Sequence, residues 1–532
     1  MKANLIKLFV LASILVLAVI VIGGINTTSA DVLAQGKPPT VALPTRVGTK
    51  PPTLTATPTK PGVQPKVGST PVAPLKGATR TPTRGGVKSP KGPPGSWITD
   101  FTLFNLGANN ATVTLMRYTQ CTTGCSADTG TQVNISTSCG TNVICANGSA
   151  YYNPVSDPSF PSGFSGSITA SSTEQLAGTV TIANTFTGSA YASDAYSAVS
   201  NPATSIIAPI VMSGYGAWNT RITVQNAGSS NTNVTINYIG SGAPGATTIT
   251  NLPPNMMAMV DQAGMTSGYI GSAIITASQN LAVVVEEYKS TGGVLLTYNG
   301  IPTTSAATTV YLPGYIDMGV WATDLTIVNT TGTATTANVT FAGSSATLSG
   351  PLGANGMVYL NRYGGLPAGW SGTFPTNYYS AATITAGQNV VAAYNIANSG
   401  TGGAGNLQAA YLGFPPSAAG TNIVVPLIEN MYSTGWVTTF SVQSIDGNPA
   451  TLTLVYSPVA GSCNGSCTKN FTMSEASHTF NQLSDGHVNT GFLGGVNITS
   501  DRNIVVIADQ TNTTAPAYQG GDSLAGFVGI KK

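Results

Sequence analysis

Six cysteines, two histidines and a few carboxylates are the residues of this 532-residue chain whose chemistry could go beyond packing. The cysteines come close together: CTTGC holds Cys121 and Cys125, Cys139 and Cys145 follow, and CNGSC holds Cys463 and Cys467. In an exported chain an even number at such spacing reads as disulfides. Zinc would need four converging ligands, and neither His478 nor His487 lies near the cysteines in sequence. Cys463 is expected to pair with Cys467 across a loop. Cys121, Cys125, Cys139 and Cys145 admit two local pairs or a nested arrangement.

The acid and base candidates are few. Glu286 and Glu287 are adjacent in VVVEEYKS, so in a strand they point to opposite faces and do not form a facing catalytic pair. Asp485 beside His487 suggests a Ser-His-Asp set, but no G-x-S-x-G elbow accompanies it and SDGH reads as a turn, which makes a surface histidine the preferred reading. H-E-x-x-H, P-loop, G-x-G-x-x-G and EF-hand spacings are missing from the sequence. No enzyme, cofactor, metal or nucleic-acid partner is expected. Trp370, among aromatics in GLPAGWSGTFPTNYY, is the candidate ligand contact, a platform for stacking on a sugar.

The elements that must carry these residues fall into three parts. Residues 1–30 place Lys2 and Lys7 before an apolar run from Leu8 to Gly24 and end on the small residues TSA, the layout of a signal peptide, with an uncleaved anchor as the alternative. Residues 31–96 are rich in Pro and Thr and hold ten Lys or Arg against one acid, whereas 97–532 hold eight basic residues and seventeen acids. A segment so rich in proline and so poor in apolar surface predicts an extended, disordered stalk. Its charge suits anionic envelope polymers or lipids, and the plainer alternative is a soluble linker.

After residue 96 short segments such as TRITVQN, TDLTIVN and ATLTLVY alternate apolar residues with Thr, Asn or Ser and are separated by Asn-Gly and Asp-Gly pairs. This predicts antiparallel strands with one face buried. Charged residues are only 7% and helix formers are scarce. WITDFTLFN (from Trp97), WNTRITVQN (Trp218), WATDLTIVN (Trp321) and WVTTFSVQS (Trp436) repeat one pattern. Each is followed by an aromatic landmark (Tyr118, Tyr238, Phe341, Tyr456) and by a return strand: SITASSTEQLA, IITASQNLAVVV, TITAGQNVVAAY and NITSDRNIVVIA. Boundaries at 97–205, 206–307, 308–420 and 421–532 follow. The recurring tryptophans are read as sealing one end of a core in preference to binding sugar.

This pattern resembles the immunoglobulin-like sandwich repeats of bacterial exported and cell-surface proteins, with Ser444 standing where the other copies have Asn. The resemblance implies an all-β chain of four tandem antiparallel β-sandwiches, and adhesive, spacer or lattice-forming roles. The leading expectation is a non-catalytic structural or adhesive protein of the cell surface, with a glycan-binding array next and a hydrolase with an unrecognised site third.

Before Trp218, Trp321 and Trp436 stand IIAPIV, VYLPGY and IVVPLI, each an expected opening edge strand; before Trp97 stands GGVKSPKGPPGS, which cannot serve. Two look-alikes lie upstream: TVALP, with Val41 and Leu43, and VAPL, formed by Val72, Ala73, Pro74 and Leu75. Folding back of Val72–Leu75 within one chain is the preferred completion, and strand exchange between molecules, giving a fibre, is the alternative.

Overall fold

The computed structural model describes residues 96–532, leaving out 123, 162, 186–191, 292, 399–406, 433–434, 513–521 and 523. The apolar run Leu8–Gly24, the basic stalk, Val41, Leu43 and Val72–Leu75 lie outside the described residues. What is described is all-β: three eight-stranded antiparallel sheets, two four-stranded ones and a two-stranded ribbon.

The three large sheets share one plan. An opening strand (Ala203–Tyr215, Ala307–Asp317, Gly420–Tyr432) leads into a Trp-led strand (Trp218–Asn226, Trp321–Asn329, Trp436–Ser444). A return strand of 21 residues follows (Tyr269–Lys289, Tyr378–Asn398, Phe492–Asn512), then a short closing strand (Leu295–Asn299, Gln408–Leu412, Leu524–Val528). The first half of each return strand pairs with the opening strand and its second half with the Trp-led strand, so each sheet curls around its own core. Alternation supplies that core: Ile222, Val224, Val234, Ile236, Ala273, Ile275, Val283 and Val285 are all buried.

The proline of each opening strand sits where pairing slips. Register shifts between Ala208 and Val211, Leu312 and Tyr315, and Val425 and Ile428 enclose Pro209, Pro313 and Pro426. Such a bulge tolerates a residue without N–H but leaves nearby backbone groups to be satisfied. Three residues beyond each proline, the N–H of Met212, Ile316 or Glu429 donates to Thr220, Thr323 or Thr438 at 2.9, 3.0 and 2.9 Å. These are the Thr of W-x-T.

The Asn that ends the motif has a matching task. Buried Asn226 donates to the carbonyls of Ser230 (2.8 Å) and Leu252 (2.9 Å) and accepts from Gly228 N–H (2.9 Å). Asn105 and Asn329 do the same in their turns. At Ser444 the hydroxyl instead donates to Asp446 (2.8 Å), which accepts from Asn448 N–H (3.0 Å). A serine and an aspartate thus stand in for one asparagine.

The Trp97 segment is built differently. Its Trp-led strand Ser96–Asn105 lies in one four-stranded sheet with Leu176–Thr185, Ala192–Ser197 and Ser149–Tyr152; Ala111–Thr119 lies in the other with Gly166–Ser172. Its return strand is broken between Ser172 and Leu176. The landmarks proposed for this copy are also displaced. Asn105 pairs with Leu176 as Asn226 pairs with Leu281, which makes Ala170 the counterpart of Ile275 and moves the I-T-A match two residues out of register. The counterpart of Tyr238 is Arg117, whose guanidinium lies over the rings of Phe160 (5.5 Å) and Phe164 (5.2 Å). Tyr118 packs instead into the core of the next segment.

Thr220→Val keeps the shape but orphans the Met212 N–H, and is expected to cost ~1–3 kcal/mol in urea unfolding. Thr99→Val, at the exposed equivalent residue of the Trp97 segment, is expected to cost less than ~0.5 kcal/mol. Equal losses at the two positions would refute the role given to the motif threonine.

Candidate functional site at the junction of the closing strands

The four closing strands Ala192–Ser197, Leu295–Asn299, Gln408–Leu412 and Leu524–Val528 pack on one another, the first on the second and fourth, the third on the second and fourth. Asp194 is buried where three of them meet. Its Oδ1 accepts the N–H of Ala195 (2.8 Å) and of Gly526 (2.7 Å), and its Oδ2 accepts the N–H of Thr297. Around it Thr297 donates to Ala195 O (3.0 Å), Asn299 to Ser197 O (2.7 Å) and Ser197 to Val528 O (3.1 Å). Asp522 makes the next link, accepting from Gln408 N–H (3.0 Å) and Leu524 N–H (3.2 Å) while its carbonyl receives Ser193 N–H (3.1 Å). Gly526 is required here because a Cβ would lie 2.8 Å from the Tyr411 ring.

Burial dominates the electrostatics of this junction. It pushes the Asp194 and Asp522 carboxyls well above the usual range although backbone N–H groups favour their charged forms. It raises Glu287 to about 8 and Asp509 to about 7, with hydrogen bonds from Asn395 and Tyr411 opposing the shift. Asn395 reaches Glu287 Oε2 at 2.9 Å from the neighbouring segment. Glu286, on the other face of its strand, forms an ion pair with Arg221. The two adjacent glutamates therefore serve two different contacts.

The remaining candidates are placed as follows. Disulfides join Cys121 to Cys125, Cys139 to Cys145 and Cys463 to Cys467. Each closes a loop within one segment. His478 packs tilted on Phe471 (4.3 Å between ring centroids) and edge-on to Phe480 (4.6 Å), and burial lowers it to about 4. Asp485 accepts from Asn481 N–H (2.6 Å) and ends the single helical turn Gln482–Asp485, while His487 packs near Tyr456. Trp370 does not offer a platform: it is 8% exposed, covers Gly350 and donates to Pro351 O at 3.1 Å. Trp436 is buried against Ala183, and Trp97 packs with Ile182, Tyr288 and Leu295. Trp218 lies on its own core with Lys289 5.0 Å from the ring centroid.

The junction escaped the sequence reading. Its one trace was the pair of acids in an apolar context, Asp194 in YASDAYS and Asp522 in GGDSLAG.

Fold and site together define a class, an all-β chain of repeated, curled antiparallel sheets locked through their closing strands. No family model matches the chain, and no curated protein matches it. Among solved structures it aligns with one described as a crystal structure of a tetra-tandem repeat in the extending region of a large adhesion protein. Identity is 11% over 82% of this chain and 95% of that one, and at a TM-score of 0.09 the two backbones do not superpose.

The raised carboxyls fix a pH dependence. Between an unfolded-state value near ~4 and folded values of about 7 for Asp509 and about 8 for Glu287, the folded protein holds protons that the unfolded chain has lost. The stability these two groups contribute is then greatest in acid, falls as pH rises from ~4 to ~8, and levels off, while buried His478, lowered to about 4, contributes in the opposite direction between ~4 and ~6.5. Glu287→Gln, which keeps an acceptor for Asn395, is expected to raise the melting temperature at pH 8 and leave it unchanged at pH 4. Thermal scans across that range check both, and a flat profile would count against the assignment.

Proposed function

We propose that this chain is an exported, non-catalytic structural or adhesive protein of the cell surface, made of four immunoglobulin-like β-sandwich repeats carried on a basic stalk. The observation that carries the reading is that its chemically capable side chains are spent on the fold. Asp194 and Asp522 hold backbone N–H groups, Glu286 and Glu287 hold neighbouring strands, and the histidines pack on aromatic rings. Local disulfides suit an oxidising setting outside the cell. The apolar run Leu8–Gly24 supplies the route there, and the ten basic residues of the stalk the attraction to anionic envelope polymers or lipids.

Protease added to intact cells is expected to digest the protein, and broad hydrolase and glycan panels are expected to give neither turnover nor binding. Polysaccharide binding lost on Trp370→Ala would move the reading to a glycan-binding array. Turnover abolished by His487→Ala would move it to a hydrolase. For the stalk, neutralising its ten basic residues is expected to weaken association with anionic vesicles at low salt. The difference should vanish near 1 M salt, where the Debye length is about 3 Å. Equal binding before and after neutralisation would leave the stalk a spacer only.

A further inference from the structure

Three opening strands lie against the first halves of their return strands, and in the Trp97 segment that place is vacant among the described residues. Gly166–Ser172 pairs with Ala111–Thr119 on one edge only. The backbone direction is fixed by two bonds of that ladder, Thr173 N–H to Thr112 O (3.1 Å) and Gln120 N–H to Ser165 O (2.9 Å). By alternation, Ile168 and Ala170 aim their N–H and C=O groups at the vacant side. Ala170 shares a face with buried Leu115 yet is exposed, and Ile168 is half-buried. Their counterparts Ile275 and Ala273, Ile384 and Ala382, and Ile498 and Val496 are all buried under an opening strand. Thr99, whose counterparts each hold an opening-strand N–H, is exposed.

Among the described residues the far side of the place is vacant as well. Ile301–Pro302, Phe414 and Ile530–Lys531 pair with the outer edges of the other opening strands. Their counterparts in the Trp97 segment are Val199 and Ser200, which follow the bond from Ala198 N–H to Gly178 O just as Ile301 follows the bond from Gly300 N–H to Val283 O.

We propose that Thr40–Pro44 of a second copy of this chain fills this place as an added antiparallel strand, with Val41 opposite Ala170 and Leu43 opposite Ile168, so that copies join head to tail. The register chooses this segment over Val72–Leu75. In the filled places the residues three and one before the proline face the return strand (Ile206 and Ala208, Val310 and Leu312, Ile423 and Val425). Opposite Ala170 and Ile168 both must donate an N–H. Val41 and Leu43 meet this requirement and match Val310 and Leu312 residue for residue, whereas before Pro74 the third position back is Pro71, which has no N–H.

Chain length puts a second copy within reach. Each filled place has its proline eight to ten residues ahead of the tryptophan, whereas about 50 residues rich in proline separate Pro44 from Ser96. At ~3.1 Å per residue that is up to ~160 Å of reach, so this segment is not held beside its own vacancy as the other opening strands are, and it can reach that of a neighbouring copy. One donor and one vacancy per copy make the contact heterologous, so it propagates. This deepens the surface reading above by naming the self-association such a protein would use.

The test uses the full chain in nonionic detergent, which removes Leu8–Gly24 as a cause of association, followed by sedimentation and electron microscopy. The native chain is expected to grow into linear oligomers with concentration. Val41→Asp with Leu43→Asp, which spoils the donor, and Ala170→Pro, which removes an N–H that the ladder with Ala111–Thr119 does not use, should each weaken association at least tenfold. Mixed, the two variants should form a species of two chains and no longer one, because one retains the vacancy and the other the donor. Val72→Asp with Leu75→Asp should assemble as the native chain does. A native chain that stays monomeric, a donor variant that still assembles or a mixture that stays monomeric overturns the proposal, as does loss of assembly on changing Val72 and Leu75 alone. Monomeric behaviour would leave the surface reading intact, since that reading rests on accessibility at intact cells.

Discussion

A backbone N–H or C=O taken out of water must find a partner inside the protein, and this chain meets that demand with very little charge. Thr, Asn, Ser and Tyr do most of the work. Tyr298 bonds both backbone groups of Ile210 beside the Pro209 bulge, and Tyr394 donates to the carbonyl of Pro313 itself. With the motif threonine, each bulge becomes a fixed joint. The tight turns after the Trp-led strands are held from within by a buried amide or, at Ser444, by a hydroxyl and a carboxylate. Because the Thr, Tyr and Asn partners are neutral, they are buried at modest desolvation cost, while the charged Asp446 stays exposed.

Some buried charge stays within one segment, as in the Arg221–Glu286 pair, and some lies at the seams between segments. Asp194, Asp522 and Glu287 each touch an element from a different Trp-led segment, so leaving their contacts unmatched would be costly and these contacts help to specify which closing strand lies beside which. Alanine and glycine let the strands approach: Ala195, Ala393, Ala410 and Ala525 are all buried at this junction. Shape brings the closing strands together, and hydrogen bonding to the two aspartates sets their order.

Strand alternation and the W-x-T-x-(apolar) pattern were readable because period-two hydrophobicity and a repeated motif are local signals. The same holds for the prolines ahead of Trp218, Trp321 and Trp436. What was not readable is what depends on two distant segments at once. Asp194 carries no local mark of its three backbone donors, and Trp370 looks like a contact residue until Gly350 and Pro351 are seen beneath it. The displaced landmarks of the Trp97 segment have a different cause. Its return strand is interrupted at Thr173–Gln175 without a change in length, since Ser172 and Leu176 are spaced as Ala277 and Leu281 are, so a match made by residue type at Ile168 conflicts with the register that pairing sets at both Ala170 and Leu176. Tyr118 was assigned by type, whereas position assigns that role to Arg117.

The closing strands make a closed circuit, first to second, second to third, third to fourth and fourth back to first. In a linear string of modules, one broken peptide bond between two modules parts the string. Here each segment is held to its neighbours by chain connection and by strand contact, and the first and last, which share no local connection, are joined through Asp194, Ser197, Gly526 and Val528. A single nick in any one connecting segment therefore leaves two fragments that still enclose the same junction. The body has redundancy in its topology, and damage to it is cumulative: at least three separate breaks, in covalent chain or in strand contact, are needed before any segment can leave.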